Sequence, residues 1–118
     1  MINLCFKNFL KENIYFKRAY YKGKSVVKKR IVVYYRKNNL KYSRLGITVS
    51  TKVGKAVVRN RIRRLIRENY RLLPDIESGY DIVIVARKSA AFTDFYGIKN
   101  DMESALLDSG LLKRDELD

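Results

Sequence analysis

Residues 45–74 read LGITVSTKVGKAVVRNRIRRLIRENYRLLP, and the change of period inside this stretch decides the fold. Residues 45–50, LGITVS, have the content of a strand. From about Lys55 to Leu73 the apolar residues Val58, Ile62, Leu65, Ile66 and Leu72 fall within one stripe at 100° per residue, as a helix with one buried side requires. Pro74 disfavours continuation. Opposite the stripe lie Arg59, Asn60, Arg63, Arg64, Arg67 and Arg71, with Arg61 near the boundary. Like charges at i,i+4 cost a helix about 0.2–0.5 kcal/mol per pair, and Arg59, Arg63, Arg67 and Arg71 repeat that spacing with only Glu68 as a nearby acid. A solvated face normally mixes its signs. An unmixed arginine row suits a phosphate backbone, because the planar guanidinium bonds a phosphate through two donors and also stacks on exposed bases. Lys52 and Lys55 sit at the helix start, where the macrodipole disfavours cations unless an anion binds there.

Working outward, residues 80–86, YDIVIVA, form a near-continuous apolar run of strand length, so this strand is central and covered on both faces. Asp94 to Ser109 places Phe95, Ile98, Met102, Ala105 and Leu106 on one helical face and ends before Gly110. On the other side, residues 26–36, VVKKRIVVYYR, read as one strand. Ile31, Val33 and Tyr35 face the core, and Arg30, Val32, Tyr34 and Arg36 form a binding face. The polar KNNLKYS is a turn, which sets the LGITVS strand antiparallel to that one. Residues 13–22 make a short helix between Asn13 and Gly23, with Phe16, Ala19 and Tyr20 on one face. The order αββαβα predicts an α+β fold: a two-layer α/β sandwich on a mixed sheet, covered by helices on one side and partly open on the other.

The 118 residues, 47% hydrophobic, support one core, and residues 1–118 are read as a single domain. The net charge of +14 points to a polyanion, nucleic acid before an anionic membrane. Residues 1–73 hold 21 Lys/Arg against 2 Asp/Glu, and residues 74–118 hold 5 against 10, so the first part carries the polyanion and the second completes the core. Cys5 is the sole cysteine and reads as a buried apolar residue. MINLCFKNFLKEN lacks a signal-peptide core and no run of 18 apolar residues occurs, so a soluble, cytoplasmic protein is expected.

Phe16 and Tyr20, packed beside Tyr34, Val32, Arg30 and Arg36, would line a groove with rings for stacking and cations for a backbone, a device for single-stranded nucleic acid. The chain has no histidine, which excludes His acid/base cleavage and any Cys/His zinc site. Asp75, Glu77 and Asp81 flank an ordinary turn and do not make a two-metal nuclease. A structural ribosomal or ribosome-assembly protein shares the basic helix without needing the groove, and a DNA-binding module would lay that helix in a major groove.

The run KVGKAVVRNRIRRLIRENYR resembles the RNR motif region of the bacterial ribonuclease P protein subunit, with further similarity in RIVVYYR, RLGITVSTKVG and DIVIVARK. The resemblance covers roughly residues 9–107. It implies a sandwich like the second domain of ribosomal protein S5, with a left-handed βαβ crossover where the usual rule would give a right-handed one. It also implies a catalytic RNA that uses magnesium to remove the 5′ leader of precursor tRNA, with one protein per catalytic RNA. The protein's own side chains would carry neither the chemistry nor a dedicated metal site. By position, Lys52, Arg59, Asn60, Arg61, Arg63, Arg64 and Arg67 resemble the surface for the catalytic RNA. Phe16, Tyr20, Val32, Tyr34 and Thr48 resemble the cleft for the leader. Such a cleft would favour precursor over mature tRNA, and phosphate screening would lower the magnesium the RNA needs. The family often has Phe where Tyr20 stands.

Overall fold

A computed structural model describes residues 13–113; the expectation for Cys5 and the acidic end of the chain lie outside the described residues. The elements are α1 (Asn13–Lys22), β1 (Lys24–Val27), β2 (Ile31–Lys37), β3 (Arg44–Thr48), α2 (Ala56–Leu72), β4 (Tyr80–Ala86), a 3-10 turn (Lys88–Phe92) and α3 (Phe95–Ser109). The strands form one mixed sheet in the order β1-β2-β4-β3. β4 pairs antiparallel with β2 and parallel with β3. The α+β sandwich holds, with one strand more than the sequence suggested.

Three expectations are corrected. The stretch 26–36 is two antiparallel strands, because the chain turns at residues 28–30. That turn has no Gly, Pro or Asn and is held from outside: the Arg87 guanidinium donates to the Lys28 carbonyl, Ser89 Oγ to the Lys29 carbonyl, and the Arg30 amide to Asp101 Oδ2. β3 runs antiparallel to β2 but does not pair with it, since β4 lies between them. Leu72 is 65% exposed rather than core; α2 ends there, and Leu73, extended ahead of Pro74, packs against the core instead.

Alternation along the strands separates two faces. Ile31, Val33, Leu45, Ile82, Ile84 and Ala86 join the main core with Ile62, Leu65 and Ile66 of α2 and Ile98, Met102, Ala105 and Leu106 of α3. On the other face α1 lies on a smaller cluster, where Ala19 and Val83 are fully buried among Tyr15, Phe16, Tyr20, Tyr34 and Val85. One short helix cannot cover a four-stranded sheet. The strip left beside it runs through the directly paired residues Val27, Val32, Val85 and Thr48, one from each strand.

The end of α1 is set by a backbone approach at Gly23, where a Cβ would meet the Ala19 and Tyr35 carbonyl oxygens at 2.5 and 2.6 Å. α3 starts on Asp94, whose side chain accepts from the Gly97 amide at 2.9 Å, and ends on Gly110 at φ 81°. Buried Asn69 donates to the Leu65 and Phe95 carbonyls and so ties α2 to the start of α3.

Candidate nucleic-acid interface

Along α1 the residues Asn13, Phe16, Lys17 and Tyr20 recur at helical spacing, and together they form one wall of a groove of about 390 Å³. Ile47, Thr48 and Val49 form the other wall, and Arg63 reaches the same groove from α2. The Tyr20 hydroxyl and Thr48 Oγ1 are hydrogen-bonded at 2.9 Å, joining the walls. Tyr34 meets Tyr20 edge-on, with ring centroids 5.0 Å apart. Val32 stands in the uncovered strip, two pairings from Thr48.

Thus Phe16, Tyr20, Val32, Tyr34 and Thr48 are brought together, whereas two other residues expected with them are not. Arg30 lies in the β1–β2 turn, and its guanidinium is paired with Asp101 and the Gly97 carbonyl of α3. Arg36 lines a separate recess with Lys22, Gly23, Lys24 and Lys37. The first departure follows from the turn that splits the strand read as continuous; Arg36 keeps its place in β2 two residues beyond Tyr34, beside the Lys22–Gly23 end of α1. Asn13 and Lys17 were missed, although their i, i+4 spacing alongside Phe16 and Tyr20 is legible.

Above the groove, α1 is fixed by a stack that the sequence did not announce. Arg44 holds both oxygens of buried Asp81 at 2.8 and 2.9 Å, and its guanidinium lies 4.1 Å from the centre of the Tyr15 ring. Asn38 adds a third bond to Asp81. The Asp81 hydrogen bond raises the Arg44 guanidinium above its ordinary value despite partial burial. A raised base stabilises the fold at every pH below its unfolded value and loses that effect only as pH passes its folded one, so the arginine's side of this clamp stays charged over any working range. Asp81 is thereby committed to Arg44 and Asn38. Among the described residues no three His, Cys, Asp or Glu side chains gather to hold a metal ion.

The arginines of α2 divide by what they touch. Arg61 points away from the groove and donates to the Thr93 and Ala91 carbonyls, both at 2.8 Å. Arg59 Nε donates to the Gly54 carbonyl at 3.1 Å, and Arg63 donates to Asn60 Oδ1 at 2.9 Å and to the Val49 carbonyl at 3.4 Å. Arg64 and Arg67 are exposed; Arg64 meets Glu68 at 3.6 Å. Arg71 follows in the last turn. The Lys52 side chain is exposed in the turn before α2. Because Arg63 and Asn60 bond each other and Arg63 also lines the groove, the basic helix face and the aromatic groove form one continuous surface. No helix of the described residues is long and apolar enough to cross a membrane.

The family model Ribonuclease P matches residues 6–109. The chain is 44% identical over 108 residues to the ribonuclease P protein component of Thermoanaerobacter sp. (strain X514), covering 91% of this chain and 93% of that protein. Among solved structures it is similar to a Staphylococcus aureus RNase P protein mutant with defective mRNA degradation activity, at 37% identity and a TM-score of 0.85 over 92% of this chain and 93% of that one. The Thermotoga maritima RNase P protein is similar at 35% identity and a TM-score of 0.71, covering 81% and 92% of the two chains.

Proposed function

Because the chain belongs to the ribonuclease P protein family, and so is the protein component of a ribonuclease acting in tRNA 5′ processing, we propose a division of labour across its surface. The exposed face of α2 binds the phosphates of a catalytic RNA, and the groove under α1 holds the single-stranded 5′ leader of precursor tRNA. The observation that carries this reading is the continuity of the two surfaces through Arg63, which belongs to both. A leader held there lies beside the RNA that α2 grips. Only the precursor has a leader, so contacts in the groove add affinity for substrate over product.

The RNA subunit supplies the hydrolysis and holds the magnesium, and the chain acts as one domain in the cytoplasm. The protein side chains position and screen. Val32 and Val85 provide an apolar floor, Phe16, Tyr20 and Tyr34 provide rings against which bases stack, and the arginines of α2 offset phosphate repulsion between the two RNAs. Less magnesium then suffices for the same encounter.

The test is cleavage of a precursor tRNA by a bacterial ribonuclease P RNA at low magnesium, with and without this protein, beside a protein-only control. Cleavage at the leader junction that needs both components is the expected result. A protein that binds RNA tightly yet leaves cleavage unchanged would overturn the reading.

A further inference from the structure

Phe92 is 97% exposed, more than any other large apolar side chain among the described residues. A lone exposed ring needs no explanation, but this one is held in place. Arg61 of α2 donates to the Ala91 and Thr93 carbonyls, on either side of Phe92, and the Ala90 and Thr93 amides close the 3-10 turn by bonding Arg87 and Ala90 carbonyls. A side chain from the basic helix therefore fixes the backbone that carries the ring, beside the helix flank facing away from the groove. One turn before Arg61 on that flank is Val57, 79% exposed, and one turn after it is Arg64, also exposed. Arg87 and Lys88, immediately before the turn and at its start, are exposed as well.

We propose that Phe92 is a base-stacking residue, the aromatic edge of the α2 surface, which takes an unpaired base of the same RNA whose phosphates the arginines contact. This rests on the assignment of α2 to RNA made above. The occupant is RNA rather than protein because the exposed charges next to the turn and on the adjoining flank of α2 are mainly cationic, Arg64, Arg87 and Lys88 against Asp94, and suit a polyanion, whereas an apolar protein partner would bring no charge to meet them. The arrangement also gives Arg61 a different task from its neighbours on the helix. It is a positioning residue that sets the ring rather than a phosphate contact.

The experiment is equilibrium binding of a bacterial ribonuclease P RNA across a salt series by the full chain and by Phe92→Ala, Phe92→Leu, Phe92→Trp and Arg67→Gln. Stacking is not ionic, so Phe92→Ala should weaken binding at every salt concentration by roughly five- to 150-fold, the range for one base on an aromatic ring, with the slope unchanged. Phe92→Trp should restore affinity with a change in its fluorescence on adding RNA, and Phe92→Leu should not. Melting temperatures of the Phe92 variants should match the parent. Unchanged affinity in Phe92→Ala beside a flattened slope in Arg67→Gln would overturn the stacking role alone. No effect of either variant would overturn the α2 assignment and the stacking with it. Full rescue by Phe92→Leu, or a dimer in sedimentation that Phe92→Ala dissolves, would overturn it in favour of apolar packing.

Discussion

Arg44 and Arg67 are the same residue type in the same basic part of the chain, yet they belong to different regions physically. Arg44 is turned inward, bonded through two donors to buried Asp81 and capped by the Tyr15 ring. Arg67 is exposed on α2, with only the Arg63 carbonyl at 3.4 Å. The α1 clamp neutralises its charge within the fold, whereas α2 displays its charge. The contrast teaches that a count of cations overstates the charge left free at the surface: Arg30, Arg44 and Arg61 each direct donors to groups within the fold.

The sharpest way to break this comparison is to remove one arginine of each kind. Arg44→Ala strands a buried carboxylate and frees Tyr15, so stability should fall by about 3 kcal/mol in urea unfolding; an unchanged midpoint would mean that the clamp is ornamental. Next in size, Tyr34→Ala should reduce the preference for precursor over mature tRNA about tenfold, leaving affinity for the catalytic RNA alone unchanged. Equal losses on both tRNAs would remove Tyr34 from the groove assignment. Arg67→Ala should leave the melting temperature in place, weaken RNA binding severalfold and reduce the salt slope by about 0.7–0.9. Smallest, Tyr20→Phe keeps the ring and loses the bond to Thr48, costing about 0.5–1.5 kcal/mol by thermal melting. Precursor binding that falls as far as in Tyr34→Ala would show that the hydroxyl, and not the ring, dominates.

The legible parts were those whose cause is local. The 3.6 period of α2, the unbroken apolar run of β4, and Asp94 and Gly110 at the ends of α3 all follow from residues close together in sequence. The illegible parts are set by distant partners. Nothing in VVKKRIVV marks a turn at Lys28–Lys29–Arg30, because what bends it is Asp101, Arg87 and Ser89. The misplacement of Arg30 followed from that. The separation of β2 from β3 by β4 is likewise a choice among pairings that alternation leaves equal. Leu72 and Leu73 were one residue from the right reading, the usual margin at a helix end. Phe16, Tyr20, Val32, Tyr34 and Thr48 nevertheless converged, because α1 and the strand parity around it were read correctly.

The place of β4 between β2 and β3 has a consequence for how the chain matures. Synthesis delivers the basic residues first, but of the four strands only β1 and β2 can pair before residue 80 emerges, since β2 and β3 both wait for the same partner. Ile31 finds Ala86, and Leu45 finds Ile82, only across long loops whose closure is slow. During that interval the nascent chain is a cationic polymer with no more than the β1–β2 hairpin of its sheet. The strand that arrives late converts a general attraction for polyanions into a shaped one.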